Sequence, residues 1–175
     1  ANHRGSLLGS EPGVLQPAQR LFESHLVACF NSFDSTRPVY IEAESNKIGQ
    51  VHIPPTLWAS MRKALRVTIT APLAARVAFL QRDYRHIIEN NDSLMNVLSG
   101  LRRRYSKKIF ESWQTDIKDR NWDGFVTAIL KTHYDPSYAR SAASRQLTDI
   151  LALTATRLDE DDIVRLANEL TAQDS

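Results

Sequence analysis

Cysteine is nearly absent from this sequence, in which Cys29 stands alone among 175 residues. A single cysteine excludes an internal disulfide and is typical of a reducing compartment, so we expect a cytoplasmic protein. Long apolar runs are also missing, because no segment approaches the roughly 20 residues that span a bilayer, and no signal peptide is evident. We therefore expect no membrane contact. Cys29 lies in the apolar stripe of a predicted helix, which predicts a small core residue rather than a reactive thiol.

Recognisable metal and nucleotide motifs are missing as well. The five histidines are scattered and do not have the spacing of zinc ligands. The phosphate-cradling pattern G-x-x-x-x-G-K-[ST] does not occur, and no Ser/His/Asp arrangement can be argued from spacing. The chain begins on the polar stretch Ala1–Ser6 rather than on a structural element. We therefore expect that parts of any phosphate site precede residue 1.

The formal net charge of +2 conceals an uneven distribution. Residues 93–145 carry ten Lys or Arg against five Asp or Glu, whereas residues 146–175 carry two against seven. This pattern predicts that a polyanionic partner binds the basic middle of the chain. Two solvated helix faces are equally consistent with the charge alone.

Helical and alternating apolar patterns follow one another along most of the chain. Helical spacing predicts helices over 17–33, around 57–63, from Pro72 to Ile88, and from the N-cap Asp159 to about Leu170. Alternation predicts strands over 39–43, 65–70 and 149–154. Such an order predicts an α/β fold with a parallel sheet flanked by helices. Three strands are few for a doubly wound sheet, so we expect an incomplete one.

Residues 93–135 differ from the rest because their pattern is helical throughout. We interpret them as a basic helical insertion between two α/β portions, residues 1–92 and 136–175. A stripe from Leu94 to Ile109 predicts a helix that includes the basic run "RRRYSKK" (Arg102–Lys108). This run suits a nucleic-acid backbone, although a solvated helix face is an equal alternative. Farther on, the "YDPSY" stretch, with Tyr134, Asp135 and Tyr138, predicts a turn that reverses the chain.

Several residues suit phosphate chemistry. In open α/β sheets ligands bind beyond the carboxyl ends of the strands, where Glu44 and Ser45 follow the first predicted strand. Glu42 shares the face of Glu44, and Lys47 adds a cation. A carboxylate at this position is able to bind magnesium, so Glu44 is a candidate ligand. The "NHRGS" stretch offers His3, Arg4 and Ser6, but a surface turn explains it equally well.

These stretches together resemble the tRNA 2-selenouridine synthase family. The matching segments are "NHRGSLLG" (2–9), "QPAQRLFES" (16–24), "VYIEAESNKIG" (39–49), "PPTLWASM" (54–61), "APLAARVAFLQRDY" (71–84) and "YDPSY" (134–138). The resemblance implies a P-loop-type fold preceded by a rhodanese-like domain with the catalytic cysteine. It also implies an enzyme that replaces sulfur by selenium in wobble 2-thiouridine of tRNA. Selenophosphate and geranyl diphosphate are the implied co-substrates, with a geranylated intermediate.

The resemblance further implies roles for individual residues. His3, Arg4 and Ser6 would face the phosphates, with Glu42, Glu44 and Ser45 at the second acidic motif and Arg76 on the next helix. tRNA would be held by Arg102, Arg103, Arg104, Lys107 and Lys108, and a prenyl groove would be lined by Trp58, Phe79 or Trp113. The rhodanese-like domain and the Walker A loop are not in this sequence, so we expect no catalytic residue here and no activity from this part alone. The alternatives are a non-catalytic RNA- or nucleotide-binding module and a P-loop small-molecule kinase.

Overall fold

The computed structural model of the chain describes residues 1–3, 9, 13–42, 45–89, 91–143 and 149–172. Their backbone forms two compact units, one comprising Ala1–Leu65 and the other beginning at Arg66. Among the helices of these residues, none is both long and apolar enough to cross a membrane. The functional division inferred from the sequence, with an insertion over 93–135, stays a prediction.

The first unit combines two helices with a small hairpin. Its elements are α1 (Gln19–Asn31), β1 (Lys47–Ile48), β2 (Val51–His52) and α2 (Pro55–Met61). β1 and β2 pair antiparallel through a two-residue turn, in which Gly49 has a φ of +58° that glycine adopts without strain. α2 begins at Pro55, whose fixed φ and missing N–H suit the first position of a helix. Phe22, Val51 and Ile53 form the buried core of this unit.

Two predictions for the first unit are wrong. Val39–Glu42 form no strand, and the side chains of Val39, Tyr40 and Ile41 are exposed. Alternating β-branched residues favour a strand only where a neighbouring strand supplies hydrogen bonds and a surface for packing. Cys29 is exposed rather than in the core. Phe22 is the one buried residue of α1 among those described. The apolar stripe of α1 therefore continues onto exposed surface at Phe30 and Phe33, whose rings make an edge-to-face contact.

The second unit contains a parallel strand pair. β3 (Arg66–Thr70) pairs with β4 (Asp149–Thr154) in the register Val67 to Leu151 and Ile69 to Leu153. Helix α9 (Glu160–Thr171) follows β4, and Leu153, Ala155 and Leu166 are buried together. This arrangement confirms the predicted α/β class, with a small parallel sheet and helices around it. The β4 bounds match the sequence prediction, since β-branched and apolar residues there meet a real neighbour.

The other helices of the second unit form a larger apolar core. They are α3 (Leu73–Asp83), α4 (Arg85–Ile88), α5 (Asn91–Ser99), α6 (Lys107–Lys118), α7 (Trp122–Ile129), a π-helical segment (Leu130–Tyr134) and α8 (Asp135–Ala143). α7 packs against both α3 and α6. Side chains from α5 to the π-helical segment are buried, with Leu98, Trp113 and Ile129 among them. This core fixes the positions of the connecting segments on the surface.

The predicted continuous helix through the basic run is wrong. α5 ends at Ser99, and residues 101–105 form turns before α6 begins at Lys107. Ser106 is the N-cap, since its hydroxyl accepts a hydrogen bond from the Ile109 N–H at 3.4 Å. A serine that pairs an otherwise unsatisfied N–H favours a helix start over helix interior. The apolar stripe alone did not reveal this break, because its spacing continues across the turn.

The turn between β4 and α9 is organised by one buried carboxylate. Asp162 Oδ2 accepts hydrogen bonds from the N–H groups of Thr156 (2.7 Å), Arg157 (2.9 Å) and Leu158 (3.0 Å). Its other oxygen accepts from the Arg165 guanidinium at 2.6 Å. Asp159 caps the helix as predicted, accepting from the Asp162 N–H at 3.0 Å. The hydrogen bond from the Leu158 N–H, which has the largest effect, and the hydrogen bond from Arg165 lower the pKa of Asp162 far below its usual value.

Asp162→Asn is expected to lower the thermal midpoint at pH 7 and to abolish part of the acid sensitivity of the fold. A carboxyl whose folded-state pKa is depressed stabilises the protein above its unfolded pKa of 3.8, and this stabilisation is lost as the pH falls below that value. The difference in thermal midpoint between wild type and variant should therefore be largest at pH 5–7 and become smaller below about pH 4. Thermal unfolding followed by circular dichroism from pH 7 to pH 2.5 measures it. The exposed neighbour Asp161, changed to Asn, is the control. Equal pH profiles for wild type and the Asp162 variant would contradict this role.

Candidate phosphate and nucleic-acid sites

The phosphate-site candidates of the first unit are only partly described. Arg4, Ser6 and Glu44 lie outside the described residues, so their placement stays a prediction. Glu42, Ser45 and Lys47 are exposed, and the Ser45 hydroxyl accepts from the Lys47 N–H at 3.0 Å. His3 lies beside the hairpin turn, where its Cδ2 atom is 2.8 Å from the position that a Cβ on Gly49 would take. His3 and the "NKIG" stretch therefore meet at Gly49.

Two glutamines, which the sequence analysis did not single out, hold this hairpin. Gln16 donates to the Ile48 carbonyl oxygen at 3.0 Å and to that of Ala1 at 3.2 Å, and accepts from the Gln50 N–H at 2.7 Å. Gln19 donates to the His52 carbonyl oxygen at 2.8 Å and accepts from the His52 N–H at 2.8 Å. An amide side chain offers both a donor and an acceptor, so each glutamine pairs the backbone as a strand would. The position of His3 near the turn depends on this scaffold.

A cleft lies next to this scaffold and has a volume of about 490 Å³. Its apolar wall includes Ile53, Pro54, Pro55, Trp58 and Ala59, and its polar wall includes Gln19, Glu23, Asn46, His52 and Arg62. Of the three predicted groove residues, Trp58 alone is in this lining. Trp113 is 1 % exposed and closed to a ligand, and the Phe79 ring has the Arg82 guanidinium 5.5 Å from its centroid. The cleft thus combines an aromatic apolar wall with a cation, Arg62.

Arg76 is engaged by the second unit itself. Both of its terminal nitrogens donate to the Asp135 carboxylate, which ties α3 to the start of α8. A bidentate arginine–carboxylate pair has fixed geometry, so it positions the two helices as well as neutralising both charges. The structure therefore supplies a structural role for Arg76 that its sequence position did not reveal.

The basic run forms an exposed cationic turn. Arg102, Arg103 and Arg104 lie in the turns before α6, and Lys107 and Lys108 lie in its first turn. All five side chains are exposed, and within the described part of the chain no carboxylate pairs with the three arginines. Lys107 makes a loose pair with Glu111 at 3.6 Å. The arginines are therefore available to an external anion.

A proline explains the π-helical segment beside this turn. Pro136 has no N–H and cannot donate to the Thr132 carbonyl oxygen one helical turn earlier. Instead, the Asp135 N–H bonds to the Leu130 carbonyl oxygen, five residues back, and the Tyr105 hydroxyl donates to the Thr132 carbonyl oxygen at 3.3 Å. The chain consequently runs from α7 into α8 without reversing, so the turn predicted at "YDPSY" is wrong. Short π-helical segments occur frequently at functional sites.

Aromatic rings collect around this segment. The Tyr105 hydroxyl lies 2.7 Å from His133 Nδ1, and the Tyr105 ring makes an edge contact with Trp113. The His133 ring packs edge-to-face on Tyr134, with centroids 4.8 Å apart. Burial lowers the pKa of His133, and the charges of Arg104 and Arg140 lower it further. His133 is thus kept neutral next to two guanidinium groups.

No metal centre can be identified among the described residues. Within residues 1–3, 9, 13–42, 45–89, 91–143 and 149–172, no group of three or more His, Cys, Asp or Glu is placed to hold an ion. Glu42 is exposed and Glu44 is not described, so the magnesium prediction gains no support from geometry.

These features define an α/β protein with a parallel strand pair, flanking helices and an exposed basic surface. A family model described as the tRNA 2-selenouridine synthase AAA domain matches residues 1–169. The chain therefore belongs to this family. No solved structure was found to match it.

Individual relatives agree with the family match. The chain is 26% identical over 174 residues to a tRNA 2-selenouridine synthase of Marinobacter nauticus, which covers 83% of this chain and 47% of the relative. It is 27% identical over 168 residues to that of Psychromonas ingrahamii, covering 79% of this chain and 45% of the relative. A shorter match of 84 residues, 36% identical, links it to that of Chromohalobacter salexigens and covers 48% of this chain and 22% of the relative. The chain spans about half the length of the first two relatives.

Gly49→Ala is expected to destabilise the protein more than Gly13→Ala. Both glycines have positive φ, which costs a residue with a side chain about 1–2 kcal/mol. A Cβ at Gly13 meets no atom within 4 Å, whereas one at Gly49 collides with the Gln16 side chain and with His3. Urea unfolding followed by circular dichroism compares the two losses. Equal losses would show that the Gln16 and His3 contacts do not constrain the turn.

Proposed function

We propose that this chain is part of a cytoplasmic tRNA-modifying transferase that replaces sulfur by selenium in wobble 2-thiouridine. The observation that carries the proposal is the family match over residues 1–169, together with relatives named tRNA 2-selenouridine synthase. Selenophosphate is the proposed selenium donor, and a geranylated intermediate lies on the reaction path. We assign no catalytic residue to residues 1–175, and we propose that selenium transfer also requires a rhodanese-like domain and a phosphate loop.

The part of the work assigned to this chain is binding of tRNA and of phosphate. The exposed arginines 102, 103 and 104, with Lys107 and Lys108, are the proposed tRNA contacts. The three arginines have no carboxylate partner among the described residues, and the exposed Lys107–Glu111 pair at 3.6 Å is loose, so little internal pairing is lost when phosphate oxygens bind. The proposed phosphate site consists of His3, Arg4, Ser6, Glu42, Glu44, Ser45 and Lys47, with any magnesium ion on Glu44. The approach of His3 to Gly49 supports it, because Gly49 follows Lys47 in the same hairpin. Arg76 stays a proposed phosphate contact, in addition to its pairing with Asp135.

The cleft at Trp58 is proposed as the binding site for the prenyl chain of geranyl diphosphate. Its size lies in the range of small-molecule sites, and one wall is apolar with a half-buried tryptophan. Arg62 in the same lining suits the diphosphate. The apolar lining residues thus suit a prenyl tail, and Arg62, which shares the lining with the Glu23 carboxylate held by Gln19, suits the anionic head.

Removal of two arginines tests the tRNA proposal. Arg102→Ala/Arg103→Ala is expected to weaken tRNA binding and to reduce the slope of log K against log salt by about 1 per removed contact. Filter binding or fluorescence anisotropy with unmodified tRNA, between 50 and 300 mM salt (roughly the range where such slopes are measured), gives both quantities.

The control for that experiment is Arg20→Ala/Arg37→Ala. It removes the same charge from exposed positions of the first unit and is expected to leave the slope unchanged. An equal effect of both double variants would remove the assignment to the basic run. Absence of tRNA binding by the wild-type chain would contradict the proposed function itself.

Substitution of Trp58 tests the prenyl site. Trp58→Ala is expected to weaken binding of geranyl diphosphate roughly tenfold to a hundredfold, because an aromatic wall contributes about 1.5–3 kcal/mol of apolar burial. Trp58→Phe should retain most of the affinity. Isothermal titration calorimetry measures both, with Phe79→Ala as the matched control at the other half-buried candidate. A loss with Phe79→Ala and none with Trp58→Ala would move the groove away from this cleft.

A further inference from the structure

The aromatic cluster at the π-helical segment extends onto exposed surface through Tyr138. The Tyr134 and Tyr138 rings lie one helical turn apart, with centroids separated by 6.3 Å and planes inclined by 23°. Tyr138 is 42 % exposed, whereas Tyr134 and His133 are half-buried. The half-buried rings of this cluster hold their neighbours by the His133–Tyr134 edge contact and by the Tyr105–His133 hydrogen bond. The result is a supported aromatic surface rather than an isolated side chain.

Two arginines act on this cluster. Arg104 comes from the cationic turn, next in sequence to the Tyr105 that contacts His133, and Arg140 comes from α8, and the charges of both lower the pKa of His133. Arg140 is exposed and donates to the Ser137 hydroxyl at 3.2 Å. The nearby carboxylate, Asp135, is already neutralised by Arg76. An anion that approaches the tyrosines therefore meets two cations and no uncompensated charge from Asp135.

We propose that Tyr138, with Tyr134 beside it, stacks an unpaired nucleobase of the bound RNA while Arg104 and Arg140 contact its phosphates. This inference rests on the proposed function, from which RNA is the partner. Stacking of a base on an exposed aromatic side chain tolerates any sequence, because every base has a π-face. Bases inside a duplex have no free face, so the surface selects single-stranded loops or ends. In this proposal the cationic turn binds the RNA phosphate backbone, and the tyrosines distinguish single-stranded RNA from duplex RNA.

Binding of a single-stranded RNA and of the same RNA as a duplex tests this selection. The probe is an unstructured 12-nucleotide RNA, a length of roughly the size that single-strand sites cover, used alone and annealed to its complement. Tyr138→Ala is expected to weaken binding of the single strand by about 5- to 150-fold, with little effect on the duplex and an unchanged salt slope. Tyr138→Phe should restore wild-type affinity, because the ring and not the hydroxyl stacks on the base.

The control is Tyr40→Ala, a tyrosine of the first unit with a similar exposure of 47 %. It is expected to bind both probes as the wild type does. Wild-type affinity of Tyr138→Ala for the single strand overturns the proposal. An equal loss on single strand and duplex, or a loss that Tyr138→Phe fails to restore, also overturns it.

The two proposals fail in different ways. If the wild-type chain binds tRNA through Arg102 and Arg103 while Tyr138→Ala has no effect, base stacking is wrong and the tRNA role stands. If the wild-type chain binds neither tRNA nor the oligonucleotide, both proposals are wrong.

Discussion

Backbone polar groups that no helix or strand can pair determine how this protein is put together. Pro136 leaves the Thr132 carbonyl oxygen without its helical donor, and Tyr105 replaces that donor from another segment. In the β4–α9 turn, one carboxylate oxygen of Asp162 accepts hydrogen bonds from three consecutive N–H groups. In the first unit, Gln16 and Gln19 pair the edges of a two-residue hairpin. Tyr105, Gln16 and Gln19 bond to backbone groups 27 to 33 residues away and so join distant parts of the chain, whereas Asp162 closes a turn by bonding to groups four to six residues away.

The same constraint creates the surfaces proposed for function. Since Tyr105 must reach Thr132, the cationic turn that contains Arg104 is held against the π-helical segment that carries His133 and Tyr134. The aromatic rings and the arginines therefore share one surface of the second unit. In the first unit, the glutamine scaffold fixes the hairpin beside the Trp58 cleft and His3 beside Gly49.

Elements with strong local signals were predicted well, and those that depend on partners were not. β3, β4 and the Asp159 cap follow from apolar patterning and capping chemistry that operate within a few residues. The predicted strand over 39–43 is absent from the described residues of that segment. Alternation of apolar residues favours a strand, but a strand also requires a neighbouring strand to pair with. The prediction that Cys29 is buried was wrong, because an apolar stripe shows which face of a helix can be buried but not whether another element covers that face. The prediction of one helix through the basic run was wrong because the apolar spacing continues across the turn that ends at the N-cap Ser106.

The sequence by itself determined the α/β class, the basic character of the middle segment and the family resemblance, because composition, periodicity and short motifs are local properties. Tertiary structure alone decided that Arg76 pairs with Asp135, that Trp58 rather than Trp113 lines an open cleft, and that Tyr138 is exposed next to the half-buried Tyr134. These outcomes depend on contacts between residues far apart in the chain. Their energies arise only once the fold has brought the groups together, so no pattern of neighbouring residues encodes them.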